Sequence, residues 1–126
     1  MMKRLLFVIL SILLFSNLSA QSSKIYLANI EGDIDLGIAP FVKRVVEEAG
    51  KNNAAAIIFR INTFGGRVDA ATKIKDAILN SKVKTIAFID KRAISAGALI
   101  ALSCEKIVMV PGALMGATTV VDEAGQ

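Results

Sequence analysis

Two short segments of this chain hold the residue types that acyl-transfer chemistry uses. Gly65-Gly66-Arg67-Val68 is followed, after one helix and one strand, by Ile94-Ser95-Ala96-Gly97 at the head of an apolar helix. A glycine turn can aim backbone N–H groups at a developing oxyanion, and a serine opening a helix can present its hydroxyl beside those donors. The chain contains no histidine, so any base for that serine is another residue type. Each segment alone also fits a plain structural role, Gly65-Gly66 as a turn and Ser95 as a helix N-cap. Their matching places in consecutive units favour the chemical reading.

Attack on a peptide carbonyl puts negative charge on oxygen, and each donor held ready for that charge is worth roughly 3 to 4 kcal/mol. The N–H groups of Gly66 and Ala96 are the expected donors. Glycine at 65 and 66 lets the backbone turn sharply and a substrate strand approach. The positive end of the helix dipole at Ser95 adds modestly.

The elements that must position these groups follow from periodicity. Ile25 to Ile30 is a β-rich run ended by Glu31-Gly32-Asp33. Pro40 suits a first helical turn, and Phe41, Val45 and Ala49 repeat at helical spacing before Gly50, an expected C-terminal stop. Ala54 to Ile61 is almost continuously apolar, broken by Arg60, as for a strand buried on both faces. Val68, Ala71, Ile74 and Ile78 form one helical stripe, closed by Asn80-Ser81. Thr85 to Ile89 is a short strand, Asp90-Lys91-Arg92-Ala93 a polar turn, and Lys106 to Val110 a further strand. Repeated strand–helix units predict an α/β domain with a largely parallel sheet and right-handed crossovers. Both motifs then lie at carboxyl ends of strands, where such folds build their sites.

The first 20 residues read as an export signal. Lys3 and Arg4 precede an apolar run from Leu5 to Phe15, and Ser16-Asn17-Leu18-Ser19-Ala20 leads to an expected cleavage after Ala20. The run is short of the roughly 20 apolar residues that span a bilayer. The remainder suffices for one small domain. Without Lys3 and Arg4 the formal charge falls from +4 to +2, with charges interspersed, which gives no electrostatic case for nucleic acid. Cys104 is the single cysteine. It excludes an internal disulfide and reads as a small core residue.

Ile30-Glu31-Gly32-Asp33-Ile34-Asp35, Arg60 through Ala70, Ser95-Ala96-Gly97, Pro111-Gly112 and Gly116-Ala117 occur in that order. In these motifs the stretch from Ile25 to Thr118 resembles the ClpP-class serine protease domain of the NfeD proteins, membrane-associated partners of stomatin-like proteins, within the ClpP/crotonase fold. The resemblance implies a Ser-Lys dyad similar to that of signal peptide peptidase A, with Ser95 as nucleophile and Gly66 and Ala96 as oxyanion hole. Gly65, Arg67 and Val68 would border the groove where an extended substrate pairs with the backbone. It also implies a peptide or membrane-protein substrate, a stomatin-like partner, homo-oligomers and a location on the extracytoplasmic side of a membrane. No cofactor or metal is expected. Residues 24–126 would be the N-terminal part of the domain, because the family's base lysine lies beyond the segment matching Gly116-Ala117. Lys91 and Lys106 are nearest to Ser95 in sequence, but their polar settings suit solvated lysines, whereas a base lysine is buried so that its amine is neutral. Neither is assigned as the base.

The leading expectation is therefore a serine endopeptidase domain acting on apolar peptide segments. Two alternatives are a non-catalytic peptide- or partner-binding fragment of the same fold, and a crotonase-like acyl-CoA enzyme that uses the oxyanion hole without a nucleophile. The export signal argues against the last, since CoA is intracellular.

Overall fold

Among the described residues, the β-branched and aromatic runs of the sequence become five strands, all parallel, in one sheet. The computed structural model describes Met1 and residues 23–118; the export signal and its cleavage site lie outside the described residues. Strands β1 (Ile25–Ile34), β2 (Ala56–Gly66), β3 (Thr85–Ile94) and β4 (Lys106–Met109) lie side by side in chain order, and β5 (Leu114–Gly116) pairs with the end of β3 beyond β4. Helices α1 (Ile38–Lys51), α2 (Val68–Leu79) and α3 (Ala96–Leu102) make the crossovers. A strand order that advances in one direction, joined by right-handed crossovers, keeps all three helices on one face.

That face holds the core. Ile57, Phe59 and Ile61 of β2 and Ala87, Ile89 and Ala93 of β3 are fully buried beneath Val42, Ala49, Ile74, Ile78 and Ile100 from the helices. The alternate residues Ile58, Arg60 and Asn62 are only half-buried. β2 is thus covered on one face among the described residues, not on both as its apolar run predicts. Arg60 belongs to the open face. Its guanidinium bridges Glu31 at 3.2 Å and Asp90, to which Nε donates at 3.0 Å, tying β1, β2 and β3 together.

Several boundaries depart from those read in the sequence. β1 continues to Ile34, because a register shift between Glu31 and Asp33 absorbs Gly32 without ending the pairing with β2. α1 begins two residues before Pro40, where the Asp35 carboxylate accepts from the N–H groups of Gly37 (2.8 Å) and Ile38 (3.2 Å). It runs past Gly50 and ends at Asn52, whose side chain donates to the Glu48 carbonyl at 2.8 Å. Asn53 then takes the left-handed conformation at φ 48°, which asparagine tolerates well. β3 extends through Asp90-Lys91-Arg92-Ala93, so the expected turn is strand. Its charged side chains are accommodated because Asp90 and Arg92 share the open face while Lys91 is exposed. Cys104 is partly buried, and desolvation pushes its thiol up to about 12, which keeps it protonated and unreactive at neutral pH.

Candidate active site

The carboxyl ends of β2 and β3 meet at Gly65 and Ser95. β2 enters this region through a second register shift, between Ile61 and Thr63, after which Thr63 pairs with Ala93. Thr63 is 2 % exposed, a polar residue on the core side of a strand. Its hydroxyl donates to the Gly32 carbonyl of β1 and accepts from the Gly65 N–H at 2.9 Å. The threonine hydroxyl thus fixes the path of the glycine pair. Replacing it with an isosteric apolar residue takes this partner from the Gly32 carbonyl and leaves the buried Gly65 N–H unsatisfied. Thr63→Val is therefore expected to lose about 1–3 kcal/mol, visible as a lower urea midpoint in the full-length protein.

Gly65 is buried at φ 120°, and a Cβ on it would sit 2.9 Å from the Ser95 Cβ and 3.1 Å from the Ile94 carbonyl oxygen. Only a residue without a side chain lets β2 come this close to the serine. Ser95 itself adopts φ 52° and ψ −117°, outside the helical region, immediately before α3. For a residue with a Cβ that conformation costs on the order of 1–3 kcal/mol and is kept only where the surroundings enforce it. They do so here through the Ser95 N–H, which donates to the Gly116 carbonyl of β5 at 2.8 Å. The Ser95 side chain makes no capping hydrogen bond, and the residue is exposed. The plain role as a side-chain N-cap is thereby removed: the hydroxyl stands at a sharp strand-to-helix turn with no partner among the described residues.

Backbone donors around this hydroxyl divide into occupied and free. The N–H groups of Gly65 and Ser95 are occupied by Thr63 and Gly116. Ala96 opens α3, where an N–H has no intrahelical acceptor. Gly66 is opposite Ile34, and the next N–H, of Arg67, donates to the Ile34 carbonyl at 2.7 Å. Parallel pairing therefore directs the Gly66 N–H away from β1, toward the side where the ladder with β3 has already ended at Thr63 and Ala93. Gly66 and Ala96 thus offer two N–H groups near Ser95 that these ladders and helix bonds leave unpaired among the described residues.

The backbone of Arg67 is already engaged. Its N–H is spent on Ile34, and its carbonyl accepts from Ala71 at 3.0 Å. Its guanidinium pairs with Asp69 at 2.8 Å, a hydrogen bond that holds the Asp69 carboxyl below its ordinary range. Val68 is 73 % exposed at the start of α2, two residues after Gly66.

Neither lysine nearest in sequence stands at the serine. Lys106 pairs with Ile86 at the opposite end of β3, nine residues and roughly 30 Å of strand from Ser95. Lys91 is an exposed strand residue. Thr63 and Gly116 are site-forming residues that residue type alone does not single out; the one sequence signal for the first is a threonine two residues before a glycine pair.

A family model described as the NfeD1b N-terminal domain matches residues 24–126. The chain belongs to the NfeD1b family. Membrane protein NfeD1b of Bacillus subtilis (strain 168) is 40% identical to this family member over 109 residues, covering 86% of the chain and 25% of the Bacillus protein. Membrane-bound protease PH1510 of Pyrococcus horikoshii is 33% identical over 119 residues, covering 92% of the chain and 27% of the protease. The NfeD1b-type chain thus spans about a quarter of the length of the curated relatives it matches. Among solved structures, a lysine-to-alanine mutant of the 1510-N membrane-bound stomatin-specific protease in complex with a substrate peptide superposes with a TM-score of 0.75 at 33% identity, over 84% of this chain and 51% of that one. A ClpP1 mutant from Listeria monocytogenes gives a TM-score of 0.60 at 28% identity, over 63% and 46%. In its α/β architecture with a parallel sheet this NfeD1b family member is similar to the 1510-N protease and to ClpP1. No helix among the described residues is long and apolar enough to cross a membrane.

Proposed function

We propose that this chain supplies the nucleophile and the oxyanion hole of a membrane-associated serine endopeptidase of Ser-Lys type. The observation that carries the reading is Ser95, held at φ 52° with a free hydroxyl, packed on Gly65 and near the N–H groups of Gly66 and Ala96, which are unpaired among the described residues. A serine-to-alanine and a lysine-to-alanine mutant of the 1510-N protease have both been solved, the latter with substrate peptide, which supports the same pairing of residue types here. The similarity also supports a peptide substrate and a stomatin-like partner; that the substrate is apolar, and that the domain lies on the extracytoplasmic face behind a cleaved export signal, are parts of the same proposal, the latter resting on the sequence of residues 1–20.

In this mechanism the Ser95 Oγ attacks the scissile carbonyl carbon and passes its proton to a neutral lysine amine. That lysine belongs to the portion of the longer family members beyond the matched segment. Charge developing on the carbonyl oxygen is received by the N–H groups of Gly66 and Ala96. Collapse of the tetrahedral intermediate expels the amine product, which takes the proton from the lysine, and water then hydrolyses the Ser95 ester. Arg67 and Val68 flank the path of the substrate with their side chains.

Reaction with a fluorophosphonate probe tests the reading. The full-length protein is expected to be labelled once, on the peptide containing Ser95, and labelling is expected to vanish in Ser95→Ala. Absence of label from a folded, full-length protein would refute an activated serine and assign the domain a peptide-binding role instead.

A further inference from the structure

Phe64 and Arg92 form a second feature at the carboxyl end of the sheet, on the face that the helices leave open. Phe64 is 70 % exposed although it directly precedes the buried Gly65. The guanidinium of Arg92 lies over its ring, 4.3 Å from the centroid. Stacking of this kind occupies the flat face of a guanidinium and leaves its N–H edge available for a planar acceptor. Arg92 forms no ion pair among the described residues. The carboxylate two residues away, Asp90, is instead engaged by Arg60, and Glu31 is drawn to the same arginine. With Asp90 and Glu31 both engaged by Arg60, Lys91 is the remaining charged neighbour on this strand, and it too is positive. Leu114 pairs with Arg92 across β3 and β5 and is 63 % exposed, adding an apolar wall.

Arg92 precedes Ser95 by three residues of extended strand, about 10 Å. An extended substrate rises about 3.3 Å per residue, so a side chain two to three residues from the scissile bond reaches that distance. We propose that Phe64, Arg92 and Leu114 form a subsite for an acidic substrate side chain at that spacing. The carboxylate takes the free N–H edge of Arg92, while its methylenes pack on Phe64 and Leu114. The peptide is thus read as an apolar segment with one well-placed Glu or Asp. The proposal rests on the peptidase reading for its geometry, but its test does not need turnover.

The full-length protein carrying Ser95→Ala is titrated by fluorescence anisotropy with labelled ten-residue Leu/Val peptides in which a single Glu, Gln or Lys is walked along the chain. At one position Glu is expected to bind about tenfold more tightly than Gln, and Lys more weakly than both, at low salt. Adding Arg92→Gln should bring the Glu-to-Gln ratio to about one, and Phe64→Leu should lower it by freeing the guanidinium to move. Equal binding of Glu and Gln peptides at every position, a preference for Lys, or a Glu preference that survives Arg92→Gln overturns the subsite. Those results leave the peptidase reading to the fluorophosphonate test, which in turn can fail without changing the binding ratios.

Discussion

Ser95→Ala in the full-length protein is expected to abolish peptide cleavage, with kcat reduced on the order of 10^3-fold or more. The loss falls on kcat because in the proposed mechanism the serine contributes a covalent intermediate, whereas peptide binding relies on groups that the substitution leaves in place. Fold should be unaffected. The Ser95 hydroxyl makes no capping hydrogen bond, and its backbone N–H bond to Gly116 is retained by alanine. Quantification of a cleaved apolar peptide by mass spectrometry, beside a thermal melt, separates the two effects. Undiminished cleavage by the alanine variant would remove Ser95 from the chemistry and with it the proposed mechanism.

Gly66→Ala is expected to be the most damaging single-methyl change in the domain. A Cβ at this position would lie 2.6 Å from the Ile34 nitrogen and closer still to the Ile34 oxygen. These are backbone atoms of the neighbouring strand, which no rotamer change can move aside. The φ of 153° adds strain for any residue with a side chain. Relief requires the end of β1 to part from β2, breaking the bond that the Arg67 N–H donates to Ile34 and turning the Gly66 N–H off its direction. A loss of about 2–4 kcal/mol follows, which lowers the urea midpoint by roughly 1–2 M, together with the loss of peptide cleavage. Gly50→Ala is the matched control. It lies inside α1 with nothing within 4 Å of its Cβ position, so the same methyl should be neutral or slightly stabilising there. Equal midpoints for the two variants would show that the close approach of β1 and β2 is not required.

What could be read in the sequence was whatever repeats or excludes. The stripe of Ala71, Ile74 and Ile78 located α2, and the alternation of strands with helices indicated a parallel sheet. Charge misled where tertiary partners were out of view. Asp90-Lys91-Arg92 reads as a turn because three charges in a row seldom suit a strand. In the structure Arg60, thirty residues earlier, draws Asp90 in, and Phe64 stacks on Arg92. Gly50 reads as a helix stop, but Asn52 and Asn53 provide a better one two residues on. Of the site, the glycine pair and the serine were visible as residue types. Their geometry was not, since it depends on the hydroxyl of Thr63 reaching Gly32 and the carbonyl of Gly116 holding Ser95. Contacts of that sequence separation leave no periodic trace.

The all-parallel sheet also sets the time at which the site can exist during synthesis. A parallel neighbour is reached only by a full crossover, so no hairpin assembles any part of the site locally. Gly32 anchors Thr63, Thr63 steers Gly65, Gly65 packs on Ser95, and Ser95 is held by Gly116. A nascent chain that has emerged as far as Ser95 therefore still lacks the carbonyl that holds the serine in its turn. The turn at Ser95 is shaped only after β5 docks, so under the proposed function the serine would stay unarmed while its own backbone is extended and exposed.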